Sequence, residues 1–547
     1  MHRKHLSKIL LIITILSVGI GSLALTKSEF FRQLEQSQKL YHWVNREIMS
    51  RYVDDIDIEA FTKKSIQNML SELDPYTVYL EAEERDGLDM LTNGKYGGVG
   101  IQIGKRDDKL TVIAPMDNTP AQRAGIISGD RIIAIDEKST AGLNLDDAAK
   151  LIRGKKGTVV VLTIERASET EPIDFSLTRS DIEVQDVAYF GMLNDEVGYI
   201  RLTRFSKNAA YEIREAIRGL NQDTESIILD LRDNPGGLLQ SAISVLDLFI
   251  DKGEVLLTTK GKHKESNRTY KSNHKPLIDS DVQIAVLINE GSASASEIVA
   301  GAIQDLDRGV ILGKRSFGKG LVQSVYNFDN KRSLKITTAK YYIPSGRLIQ
   351  KPDYNNEEII AWTATEDSIF TTVGGRSVRG GGGIHPDVEI ANEIKPSTLV
   401  QESWRKGMFF SFVQNDRDRF HDLEEIKIDD EILGDFREFL ATHDLSLPIS
   451  GESQLNDAHD KLFEIDSTNT EMTQAFENIF KFIKLQEEGL FDSARDQIAL
   501  RLKMEYANIL DGTAGRIKIN LEDDPVIVKT LSVLENHTSY EDIFVIN

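Results

Sequence analysis

The chain has 547 residues, 40% of them hydrophobic and 28% charged, with a net charge of −22. That length accommodates three or four domains of about 150 residues, and the acidic balance excludes nucleic acid as the main partner, since no basic surface offsets phosphate repulsion. There is no cysteine, which removes disulfides, thiolate metal sites and cysteine nucleophiles; the 10 histidines form no HExxH and no cluster, so neither a metal nor another cofactor is expected.

His2, Arg3, Lys4, His5 and Lys8 precede seventeen uncharged residues, Ile9 to Leu25. A helix of that length spans roughly 26 Å, slightly short of a bilayer's hydrocarbon core. Basic flank plus short apolar run reads as an export signal, to the periplasm or cell envelope. Ser22-Leu23-Ala24 is a weak cleavage site, so a cleaved signal and a retained membrane anchor both stay open. From Lys27 to Met90 the pattern is helical, with Phe30, Leu34, Leu40, Val44 and Ile48 near helical spacing, until Asp74-Pro75 breaks it.

Lys95-Tyr96-Gly97-Gly98-Val99-Gly100-Ile101-Gln102-Ile103 opens a new unit, with Val99, Ile101 and Ile103 alternating as in a strand. Glycines leave amides uncovered beside that strand, an arrangement able to bind a peptide's terminal carboxylate while its backbone adds as a further strand. An ordinary glycine-rich hairpin is the plainer reading of the glycines alone. The order that follows decides between them: Pro120 to Ile126, Gly129 to Ile135, a helix from Leu145 to Ile152, Arg153-Gly154, and a strand from Thr158 to Ile164. It resembles a PDZ domain of the bacterial protease type, over about residues 92–180, and implies carboxylate binding by Tyr96, Gly97, Gly98, Val99, Gly100 and Ile101.

Beyond Asp181 strands and helices alternate, which predicts an α/β core with its ligand site at strand ends. Ile227 to Arg232 is a buried-type strand ending in Asp233-Asn234-Pro235-Gly236-Gly237, and the strand Ile284 to Asn289 leads to Gly291-Ser292-Ala293-Ser294-Ala295-Ser296-Glu297 and a helix. Lys319, flanked by Gly318 and Gly320, follows 25 residues after Ser294 with no histidine between them. Serine needs an adjacent base to attack, and a lysine serves only when its pKa is lowered by burial. Phe317, Leu321 and Val322 are the expected apolar surroundings of Lys319. Ser294 would sit at a helix N-terminus, with the Ala295 amide and one from Gly236 or Gly237 as oxyanion donors. Simple helix capping by the three serines explains the same pattern without catalysis. Gln323 lies beside Lys319 if the segment is a helical turn, but roughly 13 Å along if it is a strand.

These motifs, with Leu229 to Gly237, Thr337 to Gly346 and Gly383-Ile384-His385-Pro386-Asp387, resemble the carboxy-terminal processing (tail-specific) proteases. The resemblance covers about residues 40–350 and 383–390, Asp74-Pro75 included. It implies Ser294 as nucleophile, Lys319 as general base, Gln323 as the residue orienting it, and a PDZ domain that captures substrate C-termini and gates the core. It places Arg153 where the PDZ couples to the core. It also implies a multidomain α/β architecture: signal or anchor 1–26, helical region 27–91, PDZ 92–180, a protease core of ClpP/crotonase-like type 181–394, and a helical C-terminal region 395–547 that leaves an oligomer or adaptor open. Residues 351–382 depart from the family as an insertion, and Tyr76-Thr77 stands where many members carry His-Ser. The expected function is that of an exported serine endopeptidase acting on chains with apolar, flexible C-termini. The rivals are a non-catalytic PDZ scaffold or chaperone, against which the intact Ser294, Lys319 and Gln323 count, and a crotonase-like acyl-transfer enzyme, for which no coenzyme-binding feature is present.

Overall fold

The structure, a computed structural model, describes residues 29–545 apart from 82–83, 85–86, 88–91, 93, 107, 117, 167, 352–367, 391–395, 444–451 and 466–468. The segment read as an export signal therefore lies outside the described residues, among which no helix is long and apolar enough to cross a membrane. The chain divides into two units, one reaching to Tyr79 and one from Leu80 onward.

In the first unit, α1 (29–51) and α2 (Ile58–Ser71) are the expected helices. The apolar positions Phe30, Leu34, Leu40 and Val44 are exposed along α1. Asp57 caps α2 by accepting the Ala60 amide at 3.0 Å. Asp74 then folds a tight turn, accepting the amides of Tyr76 and Thr77 and the Thr77 hydroxyl within 2.9 Å. Thr77 supplies the same hydroxyl that a serine there would. A short strand, β1 (Val78–Leu80), follows.

In the second unit, β2 (Lys95–Gly98) precedes the PDZ strands β3 (Ile101–Arg106), β4 (Lys109–Pro115), β5 (Arg131–Ile135), β6 (Lys138–Ser139), β7 (Val159–Glu165) and β8 (Ile173–Thr178), and β9 (Ser180–Glu183) follows them. They form an antiparallel sheet in the order β3-β4-β5-β7-β8, with β6 on β5. Helices α3 (Pro120–Arg123) and α4 (Leu145–Ile152) complete the unit around Val112, Ile132, Ala148, Ile152, Val160 and Leu162. β3 is an edge strand, and α4 packs beside it. β2 leaves this sheet and pairs with β9, making a two-stranded ribbon at the base of the PDZ unit.

The core is built on β10 (Val187–Met192), β11 (Val197–Leu202), β12 (Ser226–Asp230), β15 (Gln283–Ile288), β16 (Val310–Gly313) and β21 (Val388–Glu389), adjacent in that order. β10 is antiparallel to β11 and the remaining pairs are parallel. A second, antiparallel sheet joins β13 (Val255–Gly261), β14 (Arg268–Lys271), β17 (Leu321–Asn327) and β18 (Ser333–Tyr342), and β19 (Ile369–Thr371) pairs with β20 (Ser377–Arg379). The last hairpin lies in the segment read as an insertion. Its Arg376 is ion-paired to Asp307 at 2.6 Å and to Asp387 at 2.8 Å, so this part of the insertion is fastened to the core.

Parallel strands buried on both faces need a covering layer on each side. One layer is α5 (Ala209–Gly219), α6 (Leu239–Leu246) and α7 (Ala295–Asp305). The other comes from the far end of the chain, where the sequence predicted only a helical extension. The C-terminal helices are α8 (Thr398–Arg405), α9 (Met408–Asn415), α10 (Asp430–Thr442), α11 (Glu452–Ile465), α12 (Thr470–Ser493), α13 (Arg495–Glu522), α14 (Pro525–Leu534) and α15 (His537–Asp542). Phe409, Phe412, Phe436, Ile498, Leu502 and Tyr506 form a separate core among them. Leu521, Val526, Ile527, Val533 and Tyr540, by contrast, pack on Tyr199, Ile228, Ala285, Leu287 and Leu312 of the central sheet.

Candidate active site

Ser294 ends the link from β15 to α7 at φ +56° and ψ −111°, a sparsely populated conformation for a residue with a side chain. Nucleophilic serines sit on strained strand-to-helix turns of this kind. Its neighbours are committed elsewhere. The Ser292 hydroxyl donates to the Leu231 carbonyl at 2.8 Å, the Ser296 hydroxyl donates to the Asn234 carbonyl at 2.8 Å, and both residues are fully buried. Ser294 instead lines a cleft of about 620 Å³ together with Gly236, Gly237, Leu239, Ile298, Lys319, Leu321, Val322, Gln323 and Tyr341. No histidine lines it among the described residues.

The spacing of Ala295, Ile298, Val299, Ala302, Ile303 and Leu306 predicts one packed face for α7. Every residue from Ala295 to Asp305 is buried instead, so the polar ones among them must find partners inside the protein. Glu297 does so at the centre of the site. Its Oε1 accepts the Ser316 hydroxyl and the Gly318 amide, each at 2.6 Å, and its Oε2 accepts the Ser294 and Lys319 amides, each at 2.8 Å. Burial pushes this carboxyl up to about 7, against the pull of its four donors. Opposite it, the buried hydroxyl of Tyr341 lies within hydrogen-bond reach of the carbonyl oxygens of Ser294 (3.2 Å) and Lys319. The two segments are thus tied at amide and carbonyl alike. The sequence reading missed both Glu297 and Tyr341 as site residues. Glu297 does complete a capping box with Ser294, and only the donors from Ser316, Gly318 and Lys319 set it apart from an ordinary one.

Gly318 and Gly320 flank Lys319 because backbone passes close on both sides. A Cβ on Gly318 would stand 2.9 Å from the Gly382 carbonyl carbon, and one on Gly320 2.9 Å from the Gln350 amide nitrogen. Leu321 and Val322 line the cleft as expected, whereas Phe317 turns outward, 39% exposed, under the Lys351 ammonium. Gln323 is on β17, not in a helical turn, just after a register shift between Val322 and Gln323, and its amide donates to the Thr337 hydroxyl at 3.3 Å. The bulge re-aims the strand, so that Gln323 still faces the cleft that Lys319 lines.

The glycines expected to stabilise an oxyanion divide. The Gly236 amide donates to Asn234 Oδ1 at 2.9 Å and is already occupied. Gly237 and Ala295 have no acceptor for their amides among the described residues; Gly237 lines the cleft with Ser294, and Ala295 follows Ser294 in the chain. A Cβ on Gly236 would fall 2.9 Å from that of Ser294, which fixes glycine there on packing grounds. Behind the site, Asp230 binds Tyr199 at 2.7 Å, Arg201 at 2.6 Å and Arg232 at 2.6 Å. Burial alone would raise its carboxyl, but Arg232 and Arg201 overcome that and hold it at about 2. Arg232 also reaches Asp524 at 2.7 Å, linking this motif to the cap of α14.

At the PDZ unit, Gly100 (φ +76°) makes the bend into the edge strand, and Ile101 starts that strand. Tyr96, Gly97 and Gly98 belong instead to the ribbon, opposite Ile182, Asp181 and Ser180. Arg153 lies 5.1 Å over the Tyr96 ring, and the Gly154 amide donates to the Gly97 carbonyl at 3.1 Å. The sequence-predicted residues therefore separate into the bend that leads into the edge strand, Val99 to Ile101, and the β2–β9 ribbon, Tyr96 to Gly98, on which Arg153 rests.

An α/β core with a serine on a strained turn, preceded by an open-edged PDZ unit, defines a PDZ-containing serine-type peptidase. Residues 196–357 match peptidase family S41, residues 111–166 a PDZ domain, and residues 399–534 the C-terminal helical domain of probable PDZ-proteases. The chain belongs to the S41 carboxy-terminal-processing proteases. It is 39% identical over 308 residues to a carboxy-terminal-processing protease of Bartonella bacilliformis, covering 55% of this chain and 70% of that one. It is 36% identical over 319 residues to a probable CtpA-like serine protease of Staphylococcus epidermidis, covering 58% of this chain and 63% of the relative, just under two thirds of its length. A solved photosystem II D1 C-terminal processing protease is 26% identical, with a TM-score of 0.36, over 65% of this chain and 88% of that one.

Proposed function

We propose that the chain is an exported endopeptidase that selects substrates by an apolar C-terminus and cleaves them through an acyl-enzyme on a Ser294–Lys319 dyad. The observation that carries this reading is the single cleft lined by Ser294, Lys319 and Gln323, with the serine on its strained turn. The Lys319 amine takes the Ser294 proton as Oγ attacks the scissile carbonyl, and the oxyanion is held by the amides of Gly237 and Ala295. Each such donor contributes about 3 kcal/mol to the transition state. Collapse of the tetrahedral intermediate passes the proton from Lys319 to the leaving amine, and water then hydrolyses the Ser294 ester by the same base. Gln323 orients the lysine. The edge strand β3 supports capture of a substrate C-terminus by strand addition, its carboxylate meeting the bend at Val99 to Ile101. The junction of Tyr96 and Arg153 supports coupling of that event to the core. The basic start and apolar run 9–25 support export and membrane association.

The test compares wild type with Ser294→Ala and Lys319→Ala on an unfolded protein ending in apolar residues. Both variants should fold and lose cleavage by at least about a thousandfold. Amidating the substrate's C-terminus should slow the wild type. Undiminished cleavage by either variant rejects the dyad, and indifference to amidation rejects C-terminal capture.

A further inference from the structure

The cleft carries a charge pattern opposite to that of the chain. On a protein of net charge −22, its charged lining residues among those described are Arg204, Lys319 and Lys335, with no aspartate or glutamate. Two of the three cations are accounted for. Arg204 is held by Asp186 at 2.6 Å and by the Gln185 carbonyl at 3.0 Å, and Lys319 is the proposed base. Lys335 has no hydrogen-bond or ion-pair partner among the described residues. It is half-buried on β18, directly opposite Val325 of β17, as Thr337 is opposite Gln323. Gln323, Val325 and Asn327 line the cleft on alternate positions, so β17 forms an extended wall running away from Lys319 with Lys335 partway along it. Among the described residues the sheet pairs β17 with β18 alone, leaving its other edge open.

A chain lying extended along that wall advances about 3.4 Å per residue. Its side chain level with Val325 is thus two residues beyond the one level with Gln323. We propose that this position is a specificity subsite, at which Lys335 pairs with an acidic side chain of the substrate a few residues from the scissile bond. This rests on the cleft being the peptidase site. A half-buried, unpartnered ammonium attracts a carboxylate more strongly than a solvated one, and a surrounding free of competing carboxylates rejects no acid by repulsion. In an otherwise acidic molecule that recognition is local.

The test uses peptides with one common apolar C-terminus, differing only in a glutamate, glutamine or lysine placed in turn at each of the four residues on either side of the scissile bond. For wild type, glutamate at one position should raise kcat/KM over glutamine by roughly three- to tenfold, a gain weakened by salt. Lys335→Ala should abolish the ratio and Lys335→Glu should invert it in favour of lysine. Binding of the same peptides to Ser294→Ala protein, read by fluorescence anisotropy, should follow the same order and does not depend on turnover. A wild type without preference, or a preference unchanged in Lys335→Glu, overturns the subsite. Undiminished cleavage by the Ser294→Ala protein, with the binding order intact, overturns instead the catalytic assignment on which it rests.

Discussion

The amide of Lys319 donates to Oε2 of Glu297, 22 residues earlier in the chain, at 2.8 Å, the same length as the bond this atom accepts from Ser294. One buried carboxylate therefore sets the spacing of the two segments that carry the proposed dyad. Glu297→Gln keeps the size but replaces an acceptor oxygen with a donor facing donors. It should lower kcat by about ten- to a hundredfold with little change in KM, since positioning errors are felt in the chemical step. Steady-state kinetics on a single peptide measures this.

The same carboxyl makes a statement about stability. Its pKa in the folded protein, about 7, is above the ordinary value of 4.5, so between these limits the folded state holds the proton that the unfolded state releases. Glu297 thus contributes most below pH 4.5, and the contribution declines as pH rises to about 7. Relative to Glu297→Gln, wild type should lose unfolding free energy across that window and run parallel above it. Urea denaturation at a series of pH values reads the difference.

Tyr341→Phe removes the hydroxyl shared by the Ser294 and Lys319 carbonyls while leaving the ring in the core. Cleavage should fall several-fold to about tenfold, with a loss of about 1 kcal/mol in stability. Rates falling without any change in Tm would place Tyr341 in the chemistry itself and not in the scaffold.

Ser292→Ala and Ser296→Ala should separate from Ser294→Ala. Each deletes a fully buried hydrogen bond to a backbone carbonyl of the strand-end loops, a cost of about 1–3 kcal/mol. Their Tm should drop while residual cleavage persists. Ser294→Ala, at a residue that lines the cleft, should show the reverse.

Removing residues 519–547 should not behave as the trimming of an appendage. Leu521, Val526 and Ile527 cover the apolar back of the central sheet, and Asp524 is the partner of Arg232. Truncation should give insoluble protein, and Asp524→Ala should cost about 3 kcal/mol or more, as for other broken buried ion pairs. Expression and denaturation experiments distinguish this from a dispensable tail.

What the sequence revealed follows from how local each feature is. The apolar run ending at Ile288, the small residues around Ser294 and the glycines beside Lys319 each encode their own backbone, and all three appear where expected. The PDZ order was equally plain, although the glycines before Gly100 proved to serve a ribbon to β9. Features that depend on distant partners were hidden. Glu297 reads as a cap until Gly318 and Lys319 are seen to donate to it, and the bulge beside Gln323 arises only in pairing with β18. The strand Ile227 to Arg232 advertises burial on both faces, but nothing local says that its second cover is a helix some 290 residues onward.

That last arrangement has a temporal side. A chain emerging residue by residue completes Ser294, Lys319 and β21 long before it reaches Leu521. Until then one face of the central sheet lacks its cover, and Arg232 lacks Asp524. The second cover of the sheet that carries the cleft is accordingly among the last parts of these residues to be made, so the order of synthesis and the order of packing run apart.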